Sequence, residues 1–242
     1  MRIIGHPIIS IDSTAKILEI MRSGAVCKIF SKGFGFGTGF FCYIPIGNEK
    51  LTVMITCNHI LNEEYLNNNE SIKIEFNYKL KEINIKDNRK IYTNKGFNIT
   101  IIEINSEKDE VKEFLDLDES IFIKDFYDEK DLYILQYTQE KIISASYGIS
   151  KGYKEEFGLS YNCSTDLGSS GSPIFNFSNH KVIGWHIGGF RGIKKKQFNR
   201  AGSLYIAIQD FIVSNKNYNE SDFSNLELIL HYFLQSVFIN IS

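Results

Sequence analysis

The chain has 242 residues, which is enough to bury a substantial core in one compact unit or in two halves of one unit. Its composition, 43% hydrophobic and 23% charged, is typical of a soluble globular protein. The formal charge of −2 gives no reason to expect a nucleic acid or an acidic membrane surface as a partner.

Targeting and redox signals are weak throughout the sequence. The N-terminal region has one early Arg but no uninterrupted apolar core followed by small residues, and no stretch reaches about 18 apolar residues. We therefore expect a soluble, cytoplasmic protein without a membrane partner. The cysteines are too few and too scattered for a disulfide-stapled domain, and none forms a CxxC pair typical of zinc sites. We expect reduced, structural thiols at Cys27, Cys42, Cys57 and Cys163.

The predicted elements begin with a short helix and continue mainly as strands. Residues 12–22 place apolar side chains at helical spacing behind an Asp/Ser cap. Two sets of about six short β-rich runs follow, separated by Gly, Asn, Asp and Lys turns, and they predict two β-barrels. The first set is VCKIF, GTGFFCYI, LTVMITCNHI, SIKIEF, EINIK and NITIIEI. The second set is LYILQY, ISASYGI, FGLSYN, PIFNF, KVIGWHI and SLYIAI.

The predicted domain organisation follows from this order of elements. The acidic segment 106–119 lacks period-two alternation and fits a surface excursion or the link between the halves. After the last strand, helical spacing returns in IQDFIVSN and NLELILHYFLQSVFI, for which we expect packing on the second barrel or contact with a partner. The four parts are an N-terminal helical lead (1–24), a first barrel (25–124), a second barrel (125–212) and a C-terminal helical extension (213–242).

The sharpest local signal is GSSGSPIF, Gly168 to Phe175. It places Ser170 in a tight, glycine-flanked turn before an apolar strand. Such a turn can point Oγ outward and aim the backbone N–H groups of Gly168 and Ser170 at one point, as an oxyanion hole requires. A Gly/Ser hairpin loop without chemical function is the alternative interpretation of this motif.

A hydroxyl needs a base before it can act as a nucleophile, and ITCNHIL supplies His59. The apolar run Leu51–Ile55 leads into this histidine, and the glycine-rich run GTGFF precedes it. A histidine alone is more often a surface or core residue than a catalytic one. The combination with the serine motif about 110 positions later favours catalysis.

GTGFF, ITCNHIL and GSSGSPIF together resemble the strand, histidine and serine motifs of the trypsin-like, chymotrypsin-fold serine peptidase superfamily. The resemblance covers roughly residues 25–212. It implies an all-β fold of two orthogonal six-stranded barrels, a catalytic cleft between them, and hydrolysis of peptide or protein substrates through an acyl-enzyme. It also implies the chain order His, acid, Ser.

The third catalytic position departs from the family pattern. The acid of the family usually begins a strand, and the run Asn98 to Ile104 fits that frame with Asn in place of Asp. Asp131 in DLYILQY is the competing candidate, but it opens the first strand of the second barrel, so we prefer Asn98. An Asn can orient the imidazole but cannot stabilise imidazolium as a carboxylate does. Three interpretations of this Asn stay open: a slow enzyme, an enzyme that recruits another carboxylate, and an inactive protease-like binding module.

Two further residues resemble a specificity pocket. In glutamyl endopeptidases and viral 3C-like cysteine peptidases, a Thr five positions before the nucleophile and a His in a Gly-x-His strand line the pocket for the residue before the cut. Thr165 and His186 match these positions. The resemblance implies a preference for Glu, or next Gln, and the alternative is that both residues are purely structural.

Two expectations concern activation and metals. Ser169 precedes the nucleophile, so no carboxylate is available there to pair with a newly cut N-terminal amine, and we expect the oxyanion loop to form without proteolytic processing. The remaining histidines show no ligand spacing with carboxylates or thiols. We therefore predict neither a metal nor a cofactor.

Overall fold

The chain forms two β-sheet structures that follow one another in sequence. The computed structural model describes residues 9–31, 35–46, 49–122, 127–139, 142–154, 158–191 and 197–215. The first structure contains β1 (Val26–Ser31), β2 (Gly35–Ile46), β3 (Glu49–Thr56), β4 (Ser71–Phe76), β5 (Lys79–Asn84), β6 (Ile91–Asn94) and β7 (Ile99–Glu103). The second contains β8 (Asp131–Tyr137), β9 (Ile143–Lys154), β10 (Gly158–Tyr161), β11 (Pro173–Asn176), β12 (Val182–Arg191) and β13 (Gln197–Ser203).

The helices of the described residues are short and lie around these sheets. They are α1 (Ile11–Ser23), α2 (Glu63–Asn68), α3 (Leu204–Ser214) and a 3₁₀ turn (Glu119–Phe122). The helix predicted over 12–22 is present as α1, because Ser10 caps its first turn and Gly24, with φ of 86°, ends it. Its Ile17 and Ile20 are buried against the first sheet.

The first sheet has the strand order β5-β4-β1-β2-β3-β7-β6 and is curled into a half-barrel. It has seven strands where the sequence predicted six. The additional strand, β6, is only four residues long and buries a single side chain, Tyr92, so it carries little of the alternation by which strands are recognised.

The second sheet closes into a six-stranded barrel of order β10-β13-β12-β11-β8-β9. Its last strand is Gln197–Ser203, so the prediction of a strand over SLYIAI is wrong: helix α3 begins at Leu204. Buried residues recur at helical spacing in α3, and β13 was hidden by its polar Gln, Asn and Arg side chains. The barrel and the curled sheet together confirm the predicted two-barrel, chymotrypsin-like fold.

A short segment within the predicted link hydrogen-bonds to both halves. The Leu115 N–H donates to Phe41 in β2, and the Asp118 N–H donates to Val182 in β12. The extension predicted over 213–242 lies outside the described residues from 216 onward. Within the described ranges, none of the helices has the length and apolarity needed to cross a bilayer.

Candidate active site

The candidate nucleophile lies in a turn, residues 166–172, that we call the serine turn. Gly168 and Gly171 flank it with φ of 96° and 88°, in the left-handed region that glycine adopts without strain. A Cβ on Gly171 would lie 2.0 Å from the Thr38 carbonyl oxygen, so only glycine allows this approach to β2. Ser170, between them, is half-buried.

Ser169, beside the candidate nucleophile, is fully buried and anchors the base of the serine turn. Its Oγ donates to Gln136 Oε1 at 2.5 Å and accepts the Asp166 N–H at 3.0 Å. Gln136 Nε2 in turn donates to the Ser164 carbonyl at 3.0 Å. A neutral side chain from β8, that of Gln136, therefore holds the serine turn.

The first sheet also hydrogen-bonds directly to the serine turn. The Thr38 N–H donates to the Ser170 carbonyl at 2.8 Å, and Thr38 Oγ1 donates to the Gly168 carbonyl at 2.8 Å. Because Thr38 belongs to β2, the serine turn lies where the two sheets meet.

The candidate base, His59, follows β3 in a second turn, residues 56–61, that we call the histidine turn. The Cys57 carbonyl accepts the N–H groups of Ile60 and Leu61, which shapes this turn. The His59 backbone N–H donates to Asn98 Oδ1 at 3.1 Å. His59 Nδ1 lies 3.1 Å from Asn98 Oδ1 and 2.9 Å from Asn98 Nδ2.

These contacts determine which proton states the imidazole can adopt. The His59 backbone N–H can only donate, so it fixes the oxygen of the Asn98 amide toward His59. With a proton on Nδ1, the ring donates to Oδ1 and leaves Nε2 basic. With the proton on Nε2, the ring accepts from Nδ2 and Nε2 is no longer a base. Asn98 therefore supports a productive and an unproductive tautomer, where a carboxylate would support only the first.

Burial sets the charge of His59. It lowers the pKa of the half-buried imidazole, and the hydrogen bond that the ring donates to Asn98 Oδ1 offsets part of this effect. The ring is therefore neutral at pH 7, which is the state a general base requires. Asn98 itself is held by Trp185, whose Nε1–H donates to the Asn98 carbonyl at 3.2 Å.

The serine and histidine turns meet at one carbonyl group. The His186 carbonyl accepts the Gly171 N–H at 2.8 Å and the Cys57 thiol at 3.2 Å. Gly171 follows Ser170 directly, and Cys57 lies two residues before His59. The structure thus brings together the elements that carry Ser170, His59 and Asn98, although these residues are up to 111 positions apart in the sequence.

The competing acid candidate lies elsewhere. Asp131 is the first residue of β8. The last residue of that strand, Tyr137, donates its N–H to Thr38 Oγ1, and Thr38 in turn hydrogen-bonds to the serine turn. Asp131 and Tyr137 are six positions apart, or about 20 Å of extended strand. The contact described for the His59 ring comes from Asn98, which supports Asn98 as the third member.

The candidate pocket residues belong to two hydrogen-bonded pairs inside the second barrel. His186 is 3% exposed, and its Nδ1 lies 2.6 Å from the Tyr161 hydroxyl. Burial lowers the pKa of His186 to about 3, so this imidazole is neutral. Thr165 Oγ1 donates to Asn199 Oδ1 at 3.0 Å, and Asn199 Nδ2 donates to the Cys163 carbonyl at 2.5 Å.

All four cysteines are free and buried, and burial raises the pKa of each thiol. Raised pKa values disfavour the reactive thiolate. Within the described part of the chain, no three His, Cys, Asp or Glu side chains come close enough to hold a metal ion.

Sequence reasoning missed three supporting residues. Gln136 and Tyr161 sit in ordinary strand patterns, and nothing local marks them as partners of Ser169 and His186. Thr38 lies within the GTGFF motif, but its hydrogen bonds to the serine turn depend on how the two sheets pack.

Comparisons with known proteins bear on the fold and on the family of the chain. Searching curated proteins gives no match. Among solved structures, the active form of the Rv3671c protease from M. tuberculosis aligns with a TM-score of 0.61 at 12% identity, over 90% of this chain and 92% of that chain. A serine endoprotease from Yersinia pestis aligns with a TM-score of 0.60 at 13% identity, over 85% of this chain and 68% of that one. At such low identity these likenesses concern the fold.

The sequence itself matches a family profile. The profile describes the trypsin-like peptidase domain and matches residues 37–184, which include both turns. Since the match spans more than half of the 242 residues, the chain belongs to the trypsin-like peptidase domain family, and this membership supports a serine protease.

Proposed function

We propose that the protein is a serine endopeptidase in which Ser170 is the nucleophile and His59 the general base. The observation that carries this proposal is the His186 carbonyl, which joins the residue after Ser170 to the turn of His59. Asn98 orients the imidazole through Nδ1, and the N–H groups of Gly168 and Ser170 form the oxyanion hole.

The reaction follows from these roles. His59 Nε2 accepts the proton of the Ser170 hydroxyl as Oγ attacks the carbonyl carbon of the peptide bond. The negative charge that develops on the carbonyl oxygen is stabilised by the oxyanion donors. Imidazolium then protonates the leaving amine, which gives an acyl-enzyme. A water molecule activated by the same imidazole hydrolyses that ester and restores Ser170.

Asn98 reduces the rate of this cycle without abolishing it. It holds the ring through the His59 N–H and Nδ1, but it adds no negative charge beside the imidazolium that forms. It also permits the tautomer with a protonated Nε2, which cannot act as a base. In serine proteases that normally carry Asp, the change to Asn lowers turnover about 10⁴-fold.

For the residue before the scissile bond we propose Glu or Gln, recognised by His186 and Thr165. The Tyr161 hydroxyl is fully buried, and in the described part of the chain His186 Nδ1 is its hydrogen-bond partner, so the hydroxyl donates to Nδ1. A neutral ring that accepts at Nδ1 carries its proton on Nε2. His186 therefore offers one donor to a substrate.

Thr165 offers the complementary group. The Cys163 carbonyl can only accept, so it fixes Asn199 with Nδ2 toward itself and Oδ1 toward Thr165. The Thr165 hydroxyl hydrogen is committed to that oxygen, which leaves Oγ1 as an acceptor. A donor and an acceptor together complement a primary amide better than a carboxylate, so the bonding supports Gln ahead of Glu.

A peptide cleavage assay tests both parts of the proposal. Four fluorogenic peptides would differ only in the residue before the cut, with Gln, Glu, Lys or Phe there, and Ser170→Ala would serve as the inactive control. We expect kcat/KM to be highest for Gln and next for Glu, and expect Tyr161→Phe to reduce that preference. Equal cleavage of all four peptides would overturn the pocket assignment, and cleavage by Ser170→Ala would overturn the nucleophile.

A second candidate function is a protease-like module that binds peptides without cutting them, and Asn98 is the observation that favours it. A module of this kind would bind the Gln peptide at equilibrium and leave it intact even after Asn98→Asp. Cleavage by either the parent or Asn98→Asp would reject this alternative.

A further inference from the structure

Thr38 connects the first sheet to both flanks of the candidate nucleophile. Its side chain is fully buried at the point where β2 meets the serine turn. We propose that Thr38 is a positioning residue, whose hydroxyl holds the oxyanion hole in its competent shape. This inference rests on the proposed serine peptidase function and assigns a role that lies outside the catalytic triad.

The direction of each hydrogen bond at Thr38 Oγ1 is fixed. The Tyr137 N–H donates to this oxygen at 3.0 Å, because an amide N–H cannot accept. The hydroxyl hydrogen is therefore free to reach the Gly168 carbonyl, at 2.8 Å. One hydroxyl thus ties β8 and the serine turn to β2, and only a side chain that both donates and accepts can do so.

The peptide group that Thr38 holds lies between the two oxyanion donors. The carbonyl of the Gly168–Ser169 peptide is bound by Thr38, and its N–H donates to the Asp166 carbonyl at 3.1 Å. Both polar ends of this peptide are therefore fixed. Gly168 has φ of 96° and no side chain to restrict its rotation, so the external hydrogen bonds determine where its own N–H points.

The Thr38→Val substitution would separate the role of the hydroxyl from the backbone contacts of the same residue. The backbone N–H of Thr38 would still donate to the Ser170 carbonyl, so the nucleophile would stay tethered to β2. The Gly168 carbonyl and Tyr137 N–H would lose their partner. The substitution should therefore slow the chemical step, in which negative charge develops at the oxyanion hole. Ground-state binding should not change.

The experiment measures labelling of the full chain by a fluorophosphonate probe, whose phosphoryl oxygen occupies the oxyanion hole as Ser170 attacks. Rates over a range of probe concentrations give a saturating rate and a half-saturating concentration. For Thr38→Val we expect a saturating rate about 10- to 100-fold below the parent, with a half-saturating concentration within about twofold. Thr38→Ser, which keeps the hydroxyl, should stay within about threefold of the parent.

Thr52→Val is the matched control. Its Oγ1 donates to the Ile104 carbonyl at 2.6 Å, so this variant also loses one side-chain hydrogen bond in the first sheet. Thr52 lies four residues before the end of β3, about 13 Å along the strand from the histidine turn, and its labelling rate should equal that of the parent. Should Thr38→Val fail to fold, Thr38→Cys retains a weak donor of similar size and should label at an intermediate rate.

The outcomes separate this inference from the proposed function. Labelling of the parent and of Thr38→Val at the same saturating rate would overturn the role of Thr38 while leaving the peptidase intact. Equal slowing in Thr38→Val and Thr38→Ser would also overturn it, because Thr38→Ser keeps the hydroxyl. Absence of labelling in the parent and in Asn98→Asp would reject the function on which the inference depends.

Discussion

Replacement of Asn98 by Asp should accelerate the reaction of Ser170. The amide of Asn98 lies within 3.1 Å of His59 Nδ1, so a carboxylate in the same place would contact the imidazolium that forms during attack. It would also remove the Nδ2 donor that supports the unproductive tautomer. The backbone at this position has φ of 54°, a conformation that Asp tolerates nearly as well as Asn, so the substitution should not disturb the turn.

The expected magnitude follows from electrostatics. Unit charges about 4 Å apart interact by about 4 kcal/mol at an effective dielectric constant of about 20, which corresponds to a factor of about 10³ in rate. The tautomer effect acts in the same direction. Together these effects agree with the change of about 10⁴ that the opposite substitution causes in serine proteases. We expect an acceleration of about 10³ to 10⁴.

The assay compares fluorophosphonate labelling rates of the parent and Asn98→Asp across pH 4.5 to 9. The carboxylate should also raise the pKa of His59, so the acidic limb of the rate profile should move to higher pH in the variant. Asn58→Asp is a matched control, because it adds the same charge one residue from His59, where the Asn58 amide bonds to Thr93 and not to the imidazole. This control should change the rate by less than about tenfold.

An Asn98→Asp variant that is folded, as judged by its urea denaturation curve, and labels no faster than the parent would refute the reasoning. It would mean that stabilisation of imidazolium does not limit the reaction. An equal acceleration by Asn58→Asp would refute it in another way, by showing that general electrostatics and not the bond to Nδ1 is responsible.

Three further predictions concern pH and the serine turn. In the parent, the acidic limb of the labelling profile should have its midpoint below pH 6.5, because burial lowers the pKa of His59 and only the neutral ring accepts a proton; a midpoint above 6.5 would contradict this. Gln136→Leu should reduce the free energy of unfolding in urea by about 1 to 3 kcal/mol, because it removes the buried hydrogen bonds of Gln136 to Ser169 and to the Ser164 carbonyl; an unchanged value would argue against these bonds. Gly171→Ala should lower the free energy of unfolding by at least about 2 kcal/mol and abolish labelling. The reason is that φ at this position is 88° and the new Cβ would lie 2.0 Å from the Thr38 carbonyl oxygen, so normal labelling would exclude this close approach.

The fold was largely predictable from the sequence because most strands carry strong local patterns. The first strands of each sheet are β-branched or aromatic runs bounded by turn residues, and they appear where predicted. The errors fall where local pattern and tertiary context disagree. The strand Gln197–Ser203 is polar in sequence, yet Ala201 and Gly202 pack against His186 and Trp185 in the barrel. The apolar run that follows it is helical because its buried residues repeat every three to four positions.

The candidate site was predictable only as far as its motifs reach. Glycine-flanked Ser170 and the strand ending before His59 are local signals, and the frame around Asn98 is another. The supporting hydrogen bonds are not local: those from Gln136 and Tyr161 cross the barrel, and those of Thr38 cross between the sheets. Such pairings depend on sheet register and packing, which no residue pattern in a single strand encodes.

The most direct test of the central assignment is intact-mass analysis of the purified protein after incubation with a fluorophosphonate probe. We predict one added probe mass on the parent, located at Ser170 by peptide mapping, faster addition in Asn98→Asp, and none in Ser170→Ala or His59→Ala on the same timescale. An unlabelled parent together with an unlabelled Asn98→Asp variant, both folded, would contradict the assignment of Ser170 and His59 as a catalytic pair.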